Sequence, residues 1–210
     1  MCVVNSSFIY GILKRSTMKR CFLGSVLRGT YSIHEAISLK DIHMQTLEVF
    51  HINSHELLLM LKKEAESLSY EHLISTSENE ADSIQSLPGS PRYNIEYLVR
   101  YNHRKFSELK ERDCTDLSEE IDIGQLDDLT FRISKYMDTY APGQSDLKEY
   151  IRIISTYLTF VVKEPLHPPG MYVTEDQMIF ENNGVYYCPV KSKHISEEMS
   201  LCKYCVCRTS

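Results

Sequence analysis

From residue 53 onward the apolar side chains recur at helical spacing. Leu57, Leu58, Leu61, Ala65 and Leu68 fall at steps of three and four, with Lys62, Lys63, Glu64 and Glu66 largely elsewhere. Asn53 or Ser54 can accept hydrogen bonds from the first-turn amides, and Glu56 suits the positive end of the helix dipole. This predicts a first helix from Asn53 or Ser54. A second is expected over 94–111, with Ile95, Leu98, Val99, Phe106 and Leu109 inward. A third is expected over 125–140, burying Leu126, Leu129, Ile133, Tyr136, Met137 and Tyr140. Ala141-Pro142-Gly143 should stop it, since proline and glycine both disfavour continuation. A fourth is expected over 145–162, capped by Ser145 and burying Leu147, Tyr150, Ile151, Ile154, Tyr157, Leu158 and Val161. Amphipathic helices of this length are marginal alone in water, so they should form a helical bundle. Residues 34–50 are a weaker helix candidate.

Two stretches interrupt this pattern. Residues 75–93 are polar and end in Leu87-Pro88-Gly89-Ser90-Pro91, which reads as a surface loop. Ser90-Pro91 is read there as a turn rather than a phosphorylation site. After the fourth helix, Pro165-Leu166-His167-Pro168-Pro169-Gly170 cannot be helical. Residues 171–188 then read as a β-hairpin: Gln177–Phe180, a turn over Glu181-Asn182-Asn183-Gly184, and Val185–Cys188. A short helix or turn is expected over 196–204. The expected fold is mainly α, with a small C-terminal β-hairpin and a Cys-rich knuckle. Its parts are an N-terminal extension (1–50), the bundle (51–163) and a Cys-rich metal-binding hairpin subdomain (164–210).

Composition narrows the function classes. The chain has 210 residues, 42% hydrophobic and 25% charged, ordinary values for a globular protein. A net charge of −6 disfavours broad binding to nucleic acid or an anionic membrane. No apolar run approaches the ~20 residues that span a bilayer. The first 34 residues differ, with Lys14, Arg15, Lys19, Arg20 and Arg28 and no acid. They read as a poorly ordered extension or an over-long gene start, with Met18 and Met44 as alternative starts.

Four of the 7 cysteines lie from Cys188 onward: Cys188, Cys202, Cys205 and Cys207. An odd cysteine count and no convincing secretory signal point to a reducing, cytoplasmic setting, where clustered thiols are more often ligands than disulfides. Cys202-Lys203-Tyr204-Cys205 puts two thiols three residues apart, so both can face one point from a single turn. Cys188 comes back to them from the end of the hairpin. Three thiolates need a fourth ligand to close a tetrahedral site. His167, His194 and Cys207 are the candidates. His194, among Lys191, Lys193, Glu197 and Glu198, reads better as a solvated loop residue. Ordinary reduced cysteines are the bland alternative, and the clustering weighs against it. Cys2, Cys21 and Cys114 are isolated.

Other chemistries find no support. The chain has no Gly-rich phosphate loop, Gly-x-Ser-x-Gly elbow or His-Glu-x-x-His helix. Glu119-Glu120 and Asp127-Asp128 are adjacent carboxylates, which point apart on a helix. His51 and His55 read as surface or cap histidines.

Pro165-Leu166-His167-Pro168, Gly184-Val185-Tyr186-Tyr187-Cys188-Pro189-Val190-Lys191 and Leu201-Cys202-Lys203-Tyr204-Cys205 together resemble a family of small proteins from methanogenic archaea. That family is known as a conserved domain of unknown function. The resemblance runs from about Asn53 to the C-terminus, and residues 1–50 have no counterpart in it. Its His-Pro, Tyr-Tyr-Cys-Pro-Val-Lys and Cys-aromatic-Cys elements fall on His167, Cys188, Cys202 and Cys205. It thus favours His167 over Cys207 as fourth ligand. The chain departs from the pattern between Gly170 and Met178, where a glycine-rich turn is usual. The resemblance implies a fold and a site but brings no activity.

The expected cofactor is a structural zinc ion held by His167, Cys188, Cys202 and Cys205, in a binding or regulatory module with a protein partner. One alternative is an iron–sulfur centre on Cys188, Cys202, Cys205 and Cys207, making a redox or cluster-carrying protein. A less favoured one is a zinc-dependent hydrolytic enzyme with an open metal position, with Glu164 as proton shuttle at a spacing that does not fit the deaminase signature.

Overall fold

The computed structural model describes residues 52–68 and 89–210, with only the backbone for 89–92. The expectations for residues 1–50, for a helix over 34–50, for His51 and for the loop up to residue 88 lie outside the described residues.

The expected first helix is α1, Ser54–Glu66. Asn53 caps it: its Oδ1 accepts from the Glu56 amide at 2.9 Å, and Glu56 Oε2 accepts from the Asn53 amide at 3.1 Å. Two first-turn donors are thereby satisfied reciprocally. Strand β1 (Ile52–Asn53) leads into it and pairs antiparallel with β2 (Glu120–Ile121). The Ser54 amide and hydroxyl also bond the Glu119 backbone at 2.8 and 3.1 Å, locking the helix start to the chain before the third helix.

Helix α2 covers Gly89–Glu111, so it begins earlier than the expected Asn94. Pro91 does not prevent this, because a first-turn residue has no intrahelical acceptor for its missing N–H. Its buried side also differs from the apolar pattern. Val99 is 48% exposed, while Asn94, Tyr101, Lys105, Phe106 and Leu109 are buried. A search for apolar periodicity could not count the asparagine and the lysine.

Helix α3 covers Ile123–Tyr140 and is capped by Asp122, whose carboxylate accepts from the Gln125 amide at 3.2 Å. Helix α4 covers Ser145–Thr156. Ser145 is its first residue rather than its cap; Gln144 holds that position and makes no side-chain cap bond. The expected fourth helix does not stay α to Val162. Residues Tyr157–Val161 widen into a π turn, with the Val162 amide reaching back to the Tyr157 carbonyl at 3.1 Å. Lys163, at φ 54°, ends the helix in the left-handed region.

α3 packs on α4, while α1 packs on α2, α4 and the π turn. Leu58, Leu61, Leu109, Leu129, Ile133, Ile153, Tyr157 and Leu158 are almost wholly buried at the centre. The C-terminal part contributes Leu166, Leu201 and Tyr204 to the same core. A second, smaller cluster joins Ile179, Val190 and three cysteines.

The hairpin is β3 (Phe180–Asn182) and β4 (Val185–Cys188), antiparallel, with Phe180 opposite Tyr187. Asn183 and Gly184 have φ of 51° and 75°, the paired positive values of a tight hairpin turn. A short helix, α5 (Lys191–His194), follows β4, and residues 196–204 form turns. Strand β5 (Arg208–Thr209), unforeseen from the sequence, runs parallel to β4. The protein is therefore mainly α, a helical bundle with a small C-terminal β-hairpin and a Cys-rich tail.

Candidate metal centre

The proline-rich segment that carries His167 is held by one face of α2. Asn94, Tyr97, Tyr101 and Lys105 lie at helical steps and grip that segment in antiparallel order. Asn94 exchanges two hydrogen bonds with the Tyr172 backbone at 2.8 and 3.1 Å. Tyr97 and Tyr101 donate to the carbonyls of Pro169 and Pro165, both at 2.8 Å. Lys105 Nζ bonds Glu164 at 2.6 Å and Glu108 at 2.6 Å. Prolines carry no N–H, so this segment cannot pair as a regular strand, and side-chain donors satisfy its carbonyls instead.

The tail is held by α3. Arg132 donates to the carbonyls of Glu197, Glu198 and Ser200 at 3.1, 2.7 and 3.3 Å, and to Asp128 at 2.9 Å. Asp128 also accepts from the Tyr204 hydroxyl and, at 3.2 Å, from Lys203. These donors hold the Asp128 carboxyl down at about 2, the Tyr204 hydroxyl contributing most.

Between these anchors, His167, Cys188, Cys202, Cys205 and Cys207 line a single cavity of about 10 Å³, closed by Leu166, Ile179 and Lys191. That is room for about one water-sized sphere. Each donor has a structural reason to be there. Cys188 ends β4. Cys202 and Cys205 share one turn, in which the Tyr204 and Cys205 amides both bond the Leu201 carbonyl, at 2.9 and 3.1 Å. Cys207 directly precedes β5, which pairs with β4. Lys191 clamps this end by donating to the carbonyls of Cys205 and Cys207 at 2.6 and 2.7 Å. The sequence reading missed that role of Lys191, although Cys-Pro-Val-Lys placed it beside a ligand candidate.

All these donors except the half-buried Cys205 are buried. Burial pushes the His167 imidazole down to about 3, so it is neutral at ordinary pH, as a ligand must be. Burial raises the Cys188 thiol, against the backbone amides of Val190 and Lys191, which hydrogen-bond its sulfur. In the Cys205–Cys207 pair, the Cys207 thiol donates to Cys205. With the amides of Cys207 and Leu166 and the charge of Lys191, that contact holds the Cys205 thiol below its usual range. The same contact, with burial, holds the proton on Cys207 and pushes its thiol up. Amides directed at sulfur stabilise thiolate and orient it, as outer-shell donors do around bound metals.

Cys202 is disulfide-bonded in the structure, whereas Cys188, Cys205 and Cys207 are free. Among the described residues no three His, Cys, Asp or Glu side chains form a ready metal-binding group. Coordination by this set would require Cys202 as a free thiolate and rotation of the side chains toward a common centre. His194 points elsewhere and bonds Glu197 at 2.7 Å. Glu164 is engaged by Lys105 and Tyr101. Of the adjacent acid pairs, Glu119 binds Lys163 at 3.0 Å and Asp128 serves the tail. No described helix is long and apolar enough to cross a membrane.

Comparison with known proteins gives a consistent picture. Residues 53–210 match the family described as an uncharacterized protein conserved in archaea (DUF2115). A UPF0305 protein of Methanocaldococcus jannaschii is 31% identical over 160 residues, covering 75% of this chain and 97% of the relative. One from Methanothermobacter thermautotrophicus is 30% identical over 154 residues, 72% of this chain and 93% of the relative. One from Methanococcus maripaludis is 26% identical over 159 residues, 75% and 97% of the two chains. No solved structure matches significantly. The matched stretch begins at the capping Asn53 and ends beyond β5, and the chain belongs to this archaeal DUF2115 family.

Proposed function

We propose that the C-terminal cavity is a closed structural zinc site with ligands His167, Cys188, Cys202 and Cys205. The observation that supports this reading is that all four line one small buried cavity, brought there by three separate segments: the proline-rich stretch, the end of β4 and the turn that holds Cys202 and Cys205. A zinc ion there would tie the proline-rich segment, hairpin and tail together. It would substitute for apolar burial that the small second cluster cannot supply. A closed site of this kind would hold the fold rather than turn over a substrate, and in this reading the protein is a binding or regulatory module with a protein partner. The reducing, cytoplasmic setting expected from the cysteines would keep Cys202 available as a thiolate.

The iron–sulfur alternative draws on Cys207, which lines the same cavity. The Cys202-x-x-Cys205-x-Cys207 spacing is tight for a cubane, and this favours a single ion. The test is Cys188→Ser in protein loaded with zinc under reducing conditions. The variant should lose its zinc and melt at a lower temperature. Unchanged zinc content and melting temperature would reject the site.

A further inference from the structure

The cysteine cavity lies on a seam between the hairpin and the last residues of the chain. Ile179 and Cys188 line it from the hairpin side, Cys205 and Cys207 from the tail side. Backbone pairing across this seam is short: β5 meets β4 only at Tyr187 with Arg208 and Cys188 with Thr209. The anchors from α3 stop before the seam, because Arg132 reaches the carbonyls of Glu197, Glu198 and Ser200, and Asp128 reaches Lys203 and Tyr204. One side chain spans it. Lys191 begins α5 just after the hairpin, lines the cavity, and donates to the carbonyls of Cys205 and Cys207 at 2.6 and 2.7 Å.

We infer that Lys191 is a strap across the cavity: its ammonium ties residues 205–207 down over the thiols, and release of its two bonds opens the cavity to solvent. A charged donor makes stronger bonds to carbonyls than a neutral one, so two of them hold a short segment that little else secures. The strap is also releasable. Lys191 is half-buried, and a flexible four-carbon stem lets its head leave for water without moving the backbone of α5. Opening is then local: residues 205–209 lift while the turn up to Tyr204 stays on the bundle. The strap closes the cavity whether or not an ion sits in it, so it sets how readily any reagent or ion reaches Cys188 and Cys207, which are 4% and 2% exposed.

The test uses the full chain, metal-free and fully reduced, with its Lys191→Met and Lys191→Arg variants. Met keeps the stem and removes the donors, whereas Arg keeps a charged donor. Iodoacetamide is added, and alkylation of each cysteine is followed by mass spectrometry of its peptide. Half-buried Cys114, which lies outside the cavity, is the internal control. In wild type, Cys188 and Cys207 should react much more slowly than in the same chain unfolded in urea. In Lys191→Met both should react about ten-fold faster or more, with Cys114 unchanged, and in Lys191→Arg the rates should fall between. Loss of a nearby cation by itself disfavours thiolate and slows alkylation, so acceleration reports access. Amide exchange over 205–209 should quicken in Lys191→Met as well. Unchanged alkylation of Cys188 and Cys207 would overturn the strap. So would equal acceleration at Cys114, which would mean general loosening, or wild-type cavity thiols that already react at the unfolded rate. None of these readouts depends on zinc content, so the strap and the zinc site fail separately.

Discussion

Replacing Lys105 with methionine tests the grip of the bundle on the site segment. The Lys105 side chain is 8% exposed and lies 2.6 Å from both Glu108 and Glu164, which are 34% and 28% exposed. Removing one partner of a fully buried pair costs about 3–5 kcal/mol, and breaking an exposed one about 0–1. Here the cation is buried and both anions reach solvent. Glu108 also keeps the Tyr157 hydroxyl at 2.9 Å and Arg112 at 3.8 Å. Methionine retains most of the apolar stem packing. The expected loss is therefore about 2–3 kcal/mol at pH 7, seen as a fall in melting temperature of roughly 5–10 °C. The pH dependence carries a second signature. Burial alone would raise the Glu108 carboxyl, but hydrogen bonds from Lys105 and Tyr157 outweigh it and hold it below its usual range. Its stabilisation is complete above the unfolded carboxylate pKa, about 4.3, and is lost as pH falls through the lower folded value. The gap between wild type and variant should accordingly narrow below about pH 4. Urea melts at pH 7 and pH 3.5 would measure both. A loss under about 1 kcal/mol, or a gap that widens in acid, would refute this reasoning.

Two further substitutions probe the frame. Leu58 is wholly buried, and Leu58→Ala should cost about 2–5 kcal/mol in a urea melt without altering zinc binding by the folded protein. Gly184 has φ +75° with open space around an added Cβ, so Gly184→Ala meets only backbone strain. It should cost about 1 kcal/mol and speed amide exchange in β3 and β4, with α1 and α3 unaffected.

The helices were legible because their buried faces are apolar and regularly spaced. Leu57, Leu58, Leu61 and Ala65 in α1 and Leu129, Ile133, Tyr136 and Met137 in α3 turn inward as the spacing requires. The hairpin turn was legible because Asn183-Gly184 readily takes positive φ. What escaped the sequence reading was decided by tertiary contact. The polar grip of Asn94, Tyr97, Tyr101 and Lys105 has meaning only once residues 164–172 lie alongside α2. The π turn has no local signature, and β5 is two residues that count as a strand only through their pairing with β4. The cysteine cluster and its histidine were found from spacing and family resemblance, and all five side chains do meet at one cavity. The burial of Cys207 at the same cavity could not be read from its spacing to Cys205.

Elemental analysis of the protein, purified without oxygen and without a polyhistidine tag, tests the central claim most directly. The zinc-site account predicts about one zinc per chain and no iron. Iron with matching acid-labile sulfide, or a folded, fully reduced chain that takes up no zinc, would contradict it.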